Sequence, residues 1–136
     1  MIPALIRKIH EAKQNGQATV EIWGSGKAKR EFLHVDDMAS ACLHVMKLSP
    51  ETYKGLKLSH INVGTGEDLS IKELAELIIE IIGYEGVIEW NMEMPDGTPR
   101  KRLNIERLSK LGWQARIGLR EGLTETYQWF LKTSTQ

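Results

Sequence analysis

Two short basic segments carry the side chains with the clearest potential for ligand chemistry. In the first, a glycine-containing turn separates Trp23 from Arg30, which brings an aromatic face near a guanidinium. In the second, Arg100 and Lys101 follow Asp96 in a segment that a proline stiffens. An arginine fork binds phosphate oxygens through paired hydrogen bonds, a lysine adds a point charge, and an aromatic face covers a sugar or base. From these residues alone, a phosphate site and a solvated basic loop both stay open, and the loop is the simpler interpretation.

Two Gly-x-Gly segments, at residues 24–26 and 64–66, suggest phosphate-binding loops. A dinucleotide-binding loop needs a third glycine and a helix directly after it. Lys29 and Leu69 occupy the positions of that third glycine, and a strand is predicted to follow the first segment. We therefore predict tight turns after strands, and no dinucleotide-binding fingerprint in this sequence.

Other reactive side chains do not define a catalytic centre. Tyr53 and Lys57 have the spacing of a dehydrogenase tyrosine–lysine pair, but Pro50 and Gly55 are predicted to prevent the helix that such a pair needs. The four histidines and the single cysteine show neither metal-ligand spacing nor the pattern of a nucleophilic triad. Cys42, at helical spacing from apolar neighbours, is predicted to be buried. We predict no catalytic residue and no metal site.

The elements that must position these residues mix helices and strands. Helices are predicted at residues 2–14, 38–47, 70–82 and 119–132, with a short one after Asn104, and strands at residues 19–23, 31–35, 61–63 and 87–91. Asp36 or Asp37 is expected to cap the second helix, and Ser70 with Glu73 to form a capping box on the third. Residues 49–58 are predicted to form a surface loop. The fold class predicted is mixed α/β, with residues 1–136 as one domain.

Composition narrows the class of protein further. The 136 residues include 18 basic and 18 acidic side chains, so the formal charge is zero, which argues against a nucleic-acid or anionic-membrane partner. One cysteine excludes an internal disulfide framework and suits a reducing compartment. The apolar runs are shorter than the ~20 residues that span a bilayer, and the first residues lack a signal-peptide layout. We expect a cytoplasmic protein.

Several segments together resemble a known family. They are Trp-Gly-Ser-Gly at 23–26, Arg-Glu-Phe-Leu-His-Val-Asp-Asp at 30–37, Ile-Asn-Val-Gly-Thr-Gly at 61–66, Pro-Asp-Gly-Thr-Pro-Arg-Lys at 95–101, Leu-Gly-Trp at 111–113 and Tyr-Gln-Trp-Phe-Leu at 127–131. Their order and spacing are similar to the C-terminal part of extended short-chain dehydrogenases acting on nucleotide sugars, and of GDP-L-fucose synthases in particular.

The resemblance implies a small C-terminal substrate-binding domain without the N-terminal Rossmann domain. Members of the family convert GDP-4-keto-6-deoxy-mannose to GDP-L-fucose by epimerisation at C3 and C5 and reduction at C4. Their NADP(H) site and catalytic residues lie in the N-terminal part, so we expect this chain to hold no cofactor and to be inactive alone. The implied partners are a GDP-sugar, an NADP-binding domain on the same or a separate chain, and a second copy in a homodimer.

The resemblance also implies individual substrate contacts. Lys8 matches a basic position on the first substrate-domain helix, and Trp23 and Arg30 match contacting positions, with Arg30 on the pyrophosphate. Asp96 and Lys101 fall in the loop that closes on the nucleotide sugar.

The sequence departs from the family pattern at one position. Asn104 replaces an acidic residue common in the family. Two alternatives stay open: the substrate domain of another nucleotide-sugar epimerase or dehydratase, and a non-catalytic interaction module. The family architecture further predicts an exposed apolar face near residues 38–47 and 61–63, because the nucleotide-binding domain packs there.

Overall fold

Helices and short strands alternate along the chain. A computed structural model describes residues 1–57 and 60–133. The helices are α1 Ile2–Gln14, α2 Val35–Met46, α3 Pro50–Gly55, α4 Ile71–Ile82, α5 Glu106–Lys110 and α6 Leu119–Thr133. The strands are β1 Thr19–Trp23, β2 Lys29–Arg30, β3 Leu69–Ser70, β4 Val87–Asn91 and β5 Arg100–Lys101. The mixed α/β class predicted from the sequence is confirmed.

Local signals explain the elements that the sequence predicted well. Pro3 lies in the first turn of α1, where a missing amide hydrogen costs nothing. At α4, the Ser70 side chain accepts from the Glu73 amide and the Glu73 carboxylate accepts from the Ser70 amide, as predicted for a capping box. Gly83 ends α4 in the left-handed conformation, with φ of 69°. Strands β1 and β4 coincide with their predicted ranges.

Three predicted elements were wrong. Residues 31–34 form no strand, and α2 begins at Val35 with His34 as its N-cap, because the chain leaves β2 where the Glu31 carboxylate turns to bind other segments. Residues 61–63 belong to none of the strands of the structure. Part of the predicted loop at 49–58 is instead helix α3, which Ser49 caps and Pro50 opens. Leu58, the last residue of that loop, lies outside the described residues.

The strands form two small sheets, and several of the basic residues singled out from the sequence lie on the second of them. Strand β1 pairs with β4 in parallel, from Thr19 opposite Val87 to Trp23 opposite Asn91. The other sheet has the order β3-β2-β5, with β2 antiparallel to β3 and parallel to β5. Since β2 is central, Arg30 lies beside Lys101, although the two residues are far apart in sequence.

Most of the buried apolar surface lies between α1, α4, α6 and β1. The largest cluster includes Ile9, Leu74 and Ile78, and a smaller cluster surrounds Leu108 and Trp113. Amphipathic helices bury one stripe each, as the apolar spacing of their sequences indicates. Within the part of the chain that the structure describes, we find no helix both long and apolar enough to cross a membrane.

Candidate functional site

A cavity of about 500 Å³ opens between α1, the turn after β1 and the loop after β4. Four of the five substrate contacts predicted from the sequence line it: Lys8, Trp23, Arg30 and Asp96. The lining also includes apolar side chains of α1 and β1, among them Leu5 and Ile22. The cavity therefore combines an apolar floor with a few convergent polar groups, which is typical of small-molecule sites.

Trp23 contributes an accessible aromatic surface at the mouth of the cavity. It is the last residue of β1 and is 64% exposed. The next residue, Gly24, turns the chain with φ of +83°, and its amide donates to the Asn91 carbonyl at 2.9 Å. The pairing of β1 with β4 thus fixes the backbone on both sides of the indole, whose free face is able to cover a sugar or base.

Arg30 joins β2 to the loop that precedes β5. Its Nη1 donates to the Thr98 carbonyl at 2.6 Å and to the Lys29 carbonyl at 2.7 Å. Both bonds use the same nitrogen, and a guanidinium carries five N–H donors in a planar fork. Nε and Nη2 have no hydrogen bond to any of the described residues. Their N–H groups are therefore available to an anion in the cavity.

Asp96 holds the loop after β4 against the turn at residues 24–26. Its Oδ1 accepts from the Ser25 amide at 2.8 Å and its Oδ2 accepts from the Ser25 hydroxyl at 2.5 Å. The bond from the Ser25 hydroxyl, the bond from the amide and the nearby Lys27 charge lower the pKa of Asp96 from its ordinary value. Asp96 is therefore ionised at neutral pH, and its bonds to Ser25 hold the loop after β4 against the turn at one side of the cavity.

The other predicted contacts differ in their placement. Lys8 lies on the exposed side of α1 and borders the cavity. Lys101 does not line the cavity; it is exposed on β5, in register with Arg30. Arg100, which the sequence suggested as a second phosphate donor, is instead bound to the Asp68 carboxylate.

Two carboxylates that organise this region were missed by sequence reasoning. Glu31 accepts from the Gly66 amide at 2.7 Å and from the Leu103 amide at 2.8 Å. A Cβ on Gly64 would collide with the Glu31 carboxylate, so a larger residue there would displace that carboxylate. Asp68 binds Arg100 through both oxygens. Glu31 lies within the motif at 30–37 and Asp68 lies just after the motif at 61–66, but the partners of both carboxylates are distant in the chain.

Carboxylates of the chain also bind amides of the two glycine turns, at residues 24–26 and 64–66. The Ser25 amide in the first turn already donates to Asp96, and the Gly66 amide in the second already donates to Glu31. Each turn leads into a strand, β2 or β3. One amide in each turn that could cradle a dinucleotide pyrophosphate is therefore occupied by a carboxylate of the chain, so these two turns do not fit the pyrophosphate of NADP.

The remaining reactive residues do not converge. Among residues 1–57 and 60–133, no group of three His, Cys, Asp or Glu side chains is arranged to hold a metal. The prediction that Cys42 is buried was wrong, since it is exposed on α2. Tyr53 lies on α3, whereas Lys57 lies beyond its end with φ of 50°, so the two do not share a helix face.

Comparisons with known proteins show what the sequence and the fold of this chain are similar to. Residues 1–64 match the profile of the NAD dependent epimerase/dehydratase family. GDP-L-fucose synthase of Escherichia coli is 52% identical over 135 residues, and GDP-L-fucose synthase 1 of Arabidopsis thaliana is 48% identical over 132 residues. Each alignment covers 97% of this chain, but the chain spans only about 40% of the length of these relatives (42% and 39%).

A solved structure extends the agreement to the backbone. The crystal structure of a GDP-L-fucose synthetase from Naegleria fowleri bound to NADP has a TM-score of 0.85 and 26% identity, over 99% of this chain and 41% of that one. Residues 1–64, just under half of the chain, are thus similar to the NAD dependent epimerase/dehydratase family. Over nearly its whole length, the chain is homologous to one portion of the GDP-L-fucose synthases.

Proposed function

We propose that this chain is the C-terminal, GDP-sugar-binding portion of a GDP-L-fucose synthase, with residues 1–136 as its substrate domain. The observation that carries the proposal is the convergence of Lys8, Trp23, Arg30 and Asp96 on one cavity. In such a synthase, GDP-4-keto-6-deoxy-mannose is epimerised and then reduced with NADPH by residues outside this portion. The role of this chain is to bind and orient the nucleotide, and alone it is inactive.

Each side chain has a distinct part in binding. Arg30, through Nε and Nη2, which have no hydrogen bond to a described residue, binds the pyrophosphate, and Lys101 and Lys8 add positive charge. Trp23 covers the ribose or the base. Asp96 keeps the loop after β4 closed over the cavity by its bonds to Ser25.

Calorimetric titration of the chain with GDP, UDP and NADPH in parallel tests the proposal. We expect GDP to bind about tenfold more tightly than UDP, because a purine offers Trp23 a larger stacking surface, and base–aromatic stacking contributes about 1–3 kcal/mol. NADPH is expected not to bind. A preference for UDP would identify the substrate domain of another nucleotide-sugar enzyme, and silence with all three ligands would favour a non-catalytic interaction module.

Helix α2 presents an apolar surface that this chain leaves exposed. Val35, Met38, Cys42 and Met46 recur at helical spacing, and Met46 is 80% exposed. The opposite side of α2 buries Asp37 and Ala41. We propose that the exposed face packs against the NADP-binding portion of a full-length synthase, since about 60% of the length of the curated relatives has no counterpart here.

Without that partner, the α2 face is expected to cause reversible self-association. Sedimentation velocity over a range of concentrations should show dimers that Met46→Lys weakens by about tenfold in dissociation constant, through desolvation of the new charge. Met92→Lys provides the matched control, because Met92 is also exposed (68%) but lies after β4. A wild-type monomer at all concentrations that binds no apolar dye would contradict the expectation.

A further inference from the structure

The position of strand β5 is electrostatically unfavourable by itself. In the register of β2 with β5, Lys29 lies opposite Arg100 and Arg30 lies opposite Lys101. Like charges directly opposite each other destabilise a strand pair. The pairing covers only two residues on each strand, so few backbone hydrogen bonds offset the repulsion. Other groups must hold β5 beside β2.

The Asp68 carboxylate supplies the main side-chain attachment. Arg100 donates to it twice, from Nε to Oδ2 at 2.5 Å and from Nη2 to Oδ1 at 3.0 Å. The Asp68 side chain is 6% exposed, so its position is set by packing and not by solvent. The hydrogen bonds from Arg100 are the largest cause of the lowered pKa of Asp68, and the charges of Arg102 and Lys29 act in the same direction.

This ion pair reaches across the central strand of the sheet. Asp68 directly precedes β3, which lies on the side of β2 opposite to β5. The Arg100 side chain therefore ties β5 to β3 over β2. A backbone bond from the Lys29 amide to the Pro99 carbonyl supports the same arrangement at one end, and at the other end the Leu103 amide donates to the Glu31 carboxylate.

The ion pair between Arg100 and Asp68 determines to which face of the sheet the Lys101 side chain points. Successive side chains of a strand point to opposite faces, so fixing Arg100 toward Asp68 directs Lys101 to the other face. Lys101 is then on the same face of the sheet as Arg30, its partner in register, and Arg30 lines the cavity. One cation of the pair 100–101 is neutralised, and the other is left for an anionic ligand.

We propose that Asp68 is a positioning residue of the nucleotide-diphosphate site: it withdraws Arg100 from the ligand and holds Lys101 beside Arg30. This inference rests on the proposed function. Asp68 touches no ligand in this arrangement and acts only through β5.

The substitution Asp68→Asn distinguishes positioning from long-range electrostatics, because the two predict opposite changes in the affinity for GDP. It removes a negative charge and releases a guanidinium, so long-range attraction alone would tighten the binding of GDP. Loss of positioning has the opposite effect, and we expect GDP affinity to fall by about 5- to 20-fold, because Lys101 is displaced and not removed, so that only part of one charge-assisted contact is lost. Asp68→Glu keeps the charge and is expected to retain most of the affinity.

Two further variants make the test specific. In a Lys101→Ala background, Asp68→Asn is expected to change GDP affinity by less than about twofold, because the residue that it positions is gone. Glu80→Gln is the matched control: it also breaks a two-oxygen carboxylate–arginine pair, with Arg120, but between α4 and α6. GDP affinity in Glu80→Gln should equal that of the wild type.

Amide hydrogen exchange supplies a measurement that needs no ligand. Exchange within residues 98–103 is expected to accelerate in Asp68→Asn and to stay unchanged in Glu80→Gln. An Asn variant that binds GDP as tightly as the wild type or more tightly, or that shows unaltered exchange in residues 98–103, would overturn the role of Asp68. A wild-type chain that binds no GDP would instead overturn the proposed function, and the exchange result would still decide whether Asp68 holds β5.

Discussion

Replacing Arg30 by alanine is expected to lower the affinity for GDP by about 10- to 150-fold. A hydrogen bond to a charged group contributes about 1.5–3 kcal/mol, and each 1.4 kcal/mol corresponds to a factor of ten. Arg30 lines the cavity, with Nε and Nη2 not hydrogen-bonded to any described residue, and its Nη1 also holds the loop through the Thr98 carbonyl. The substitution therefore removes a ligand contact and an attachment of the loop together. Calorimetric titration with GDP measures the loss.

The neighbouring residue provides the control for net charge. Lys29 carries the same charge and lies on the same two-residue strand, but it lines a different cavity, beside Lys27 and Lys72. Lys29→Ala should change GDP affinity by less than about threefold, since exposed charges acting at a distance contribute little. Equal losses in Lys29→Ala and Arg30→Ala would show that only overall charge matters and would contradict a direct contact by Arg30.

Leu74→Ala is expected to cause the largest loss of stability, about 2–5 kcal/mol in the free energy of unfolding. Leu74 lies on α4 with no exposed surface, in the cluster shared with α1 and α6. Truncation there removes three carbon atoms from a closely packed interior and leaves a cavity that the rigid helices cannot fill. Because domains are stable by only about 5–15 kcal/mol, much of the stability would be lost. Urea denaturation followed by circular dichroism measures the change.

The same substitution at an exposed leucine isolates the effect of burial. Leu43 on α2 is 57% exposed, and Leu43→Ala should alter the free energy of unfolding by less than about 0.5 kcal/mol at concentrations below self-association. If Leu74→Ala cost less than about 1 kcal/mol, the packing of α4 at the centre of the fold would be contradicted.

Sequence determined the elements whose signals are local. The apolar stripe of α1 and the Ser70–Glu73 capping box define helices through residues at most four positions apart, so neighbours along the chain decide them. The spacing of apolar residues in β1 and β4 was likewise sufficient to predict these strands, because it involves only neighbours along the chain. The residue types at Lys8, Trp23 and Arg30, read together with the quoted motifs, were enough to indicate a nucleotide-sugar family.

Elements that depend on distant partners were predicted less well. The supposed strand at 31–35 failed because Glu31 is drawn to amides 35 and 72 positions further along the chain. Nothing local at Glu31 signals those partners. Helix α3 was missed for a different reason, since Pro50 was treated as a breaker, although a proline in the first turn of a helix is favourable.

The tertiary structure alone decided which charges are left for a ligand. By residue type alone, Arg100 and Lys101 are equivalent candidates for a phosphate. The family resemblance selected Lys101 and Asp96, but no neighbouring residue indicates what binds Arg100 or Asp96. The fold pairs Arg100 with Asp68, 32 positions earlier, and Asp96 with Ser25, 71 positions earlier. Coulombic and hydrogen-bond energies depend on distance in space, and the path of the chain sets that distance. Composition and motifs therefore determined the chemistry that is present, and the sheet order β3-β2-β5 determined where it can act.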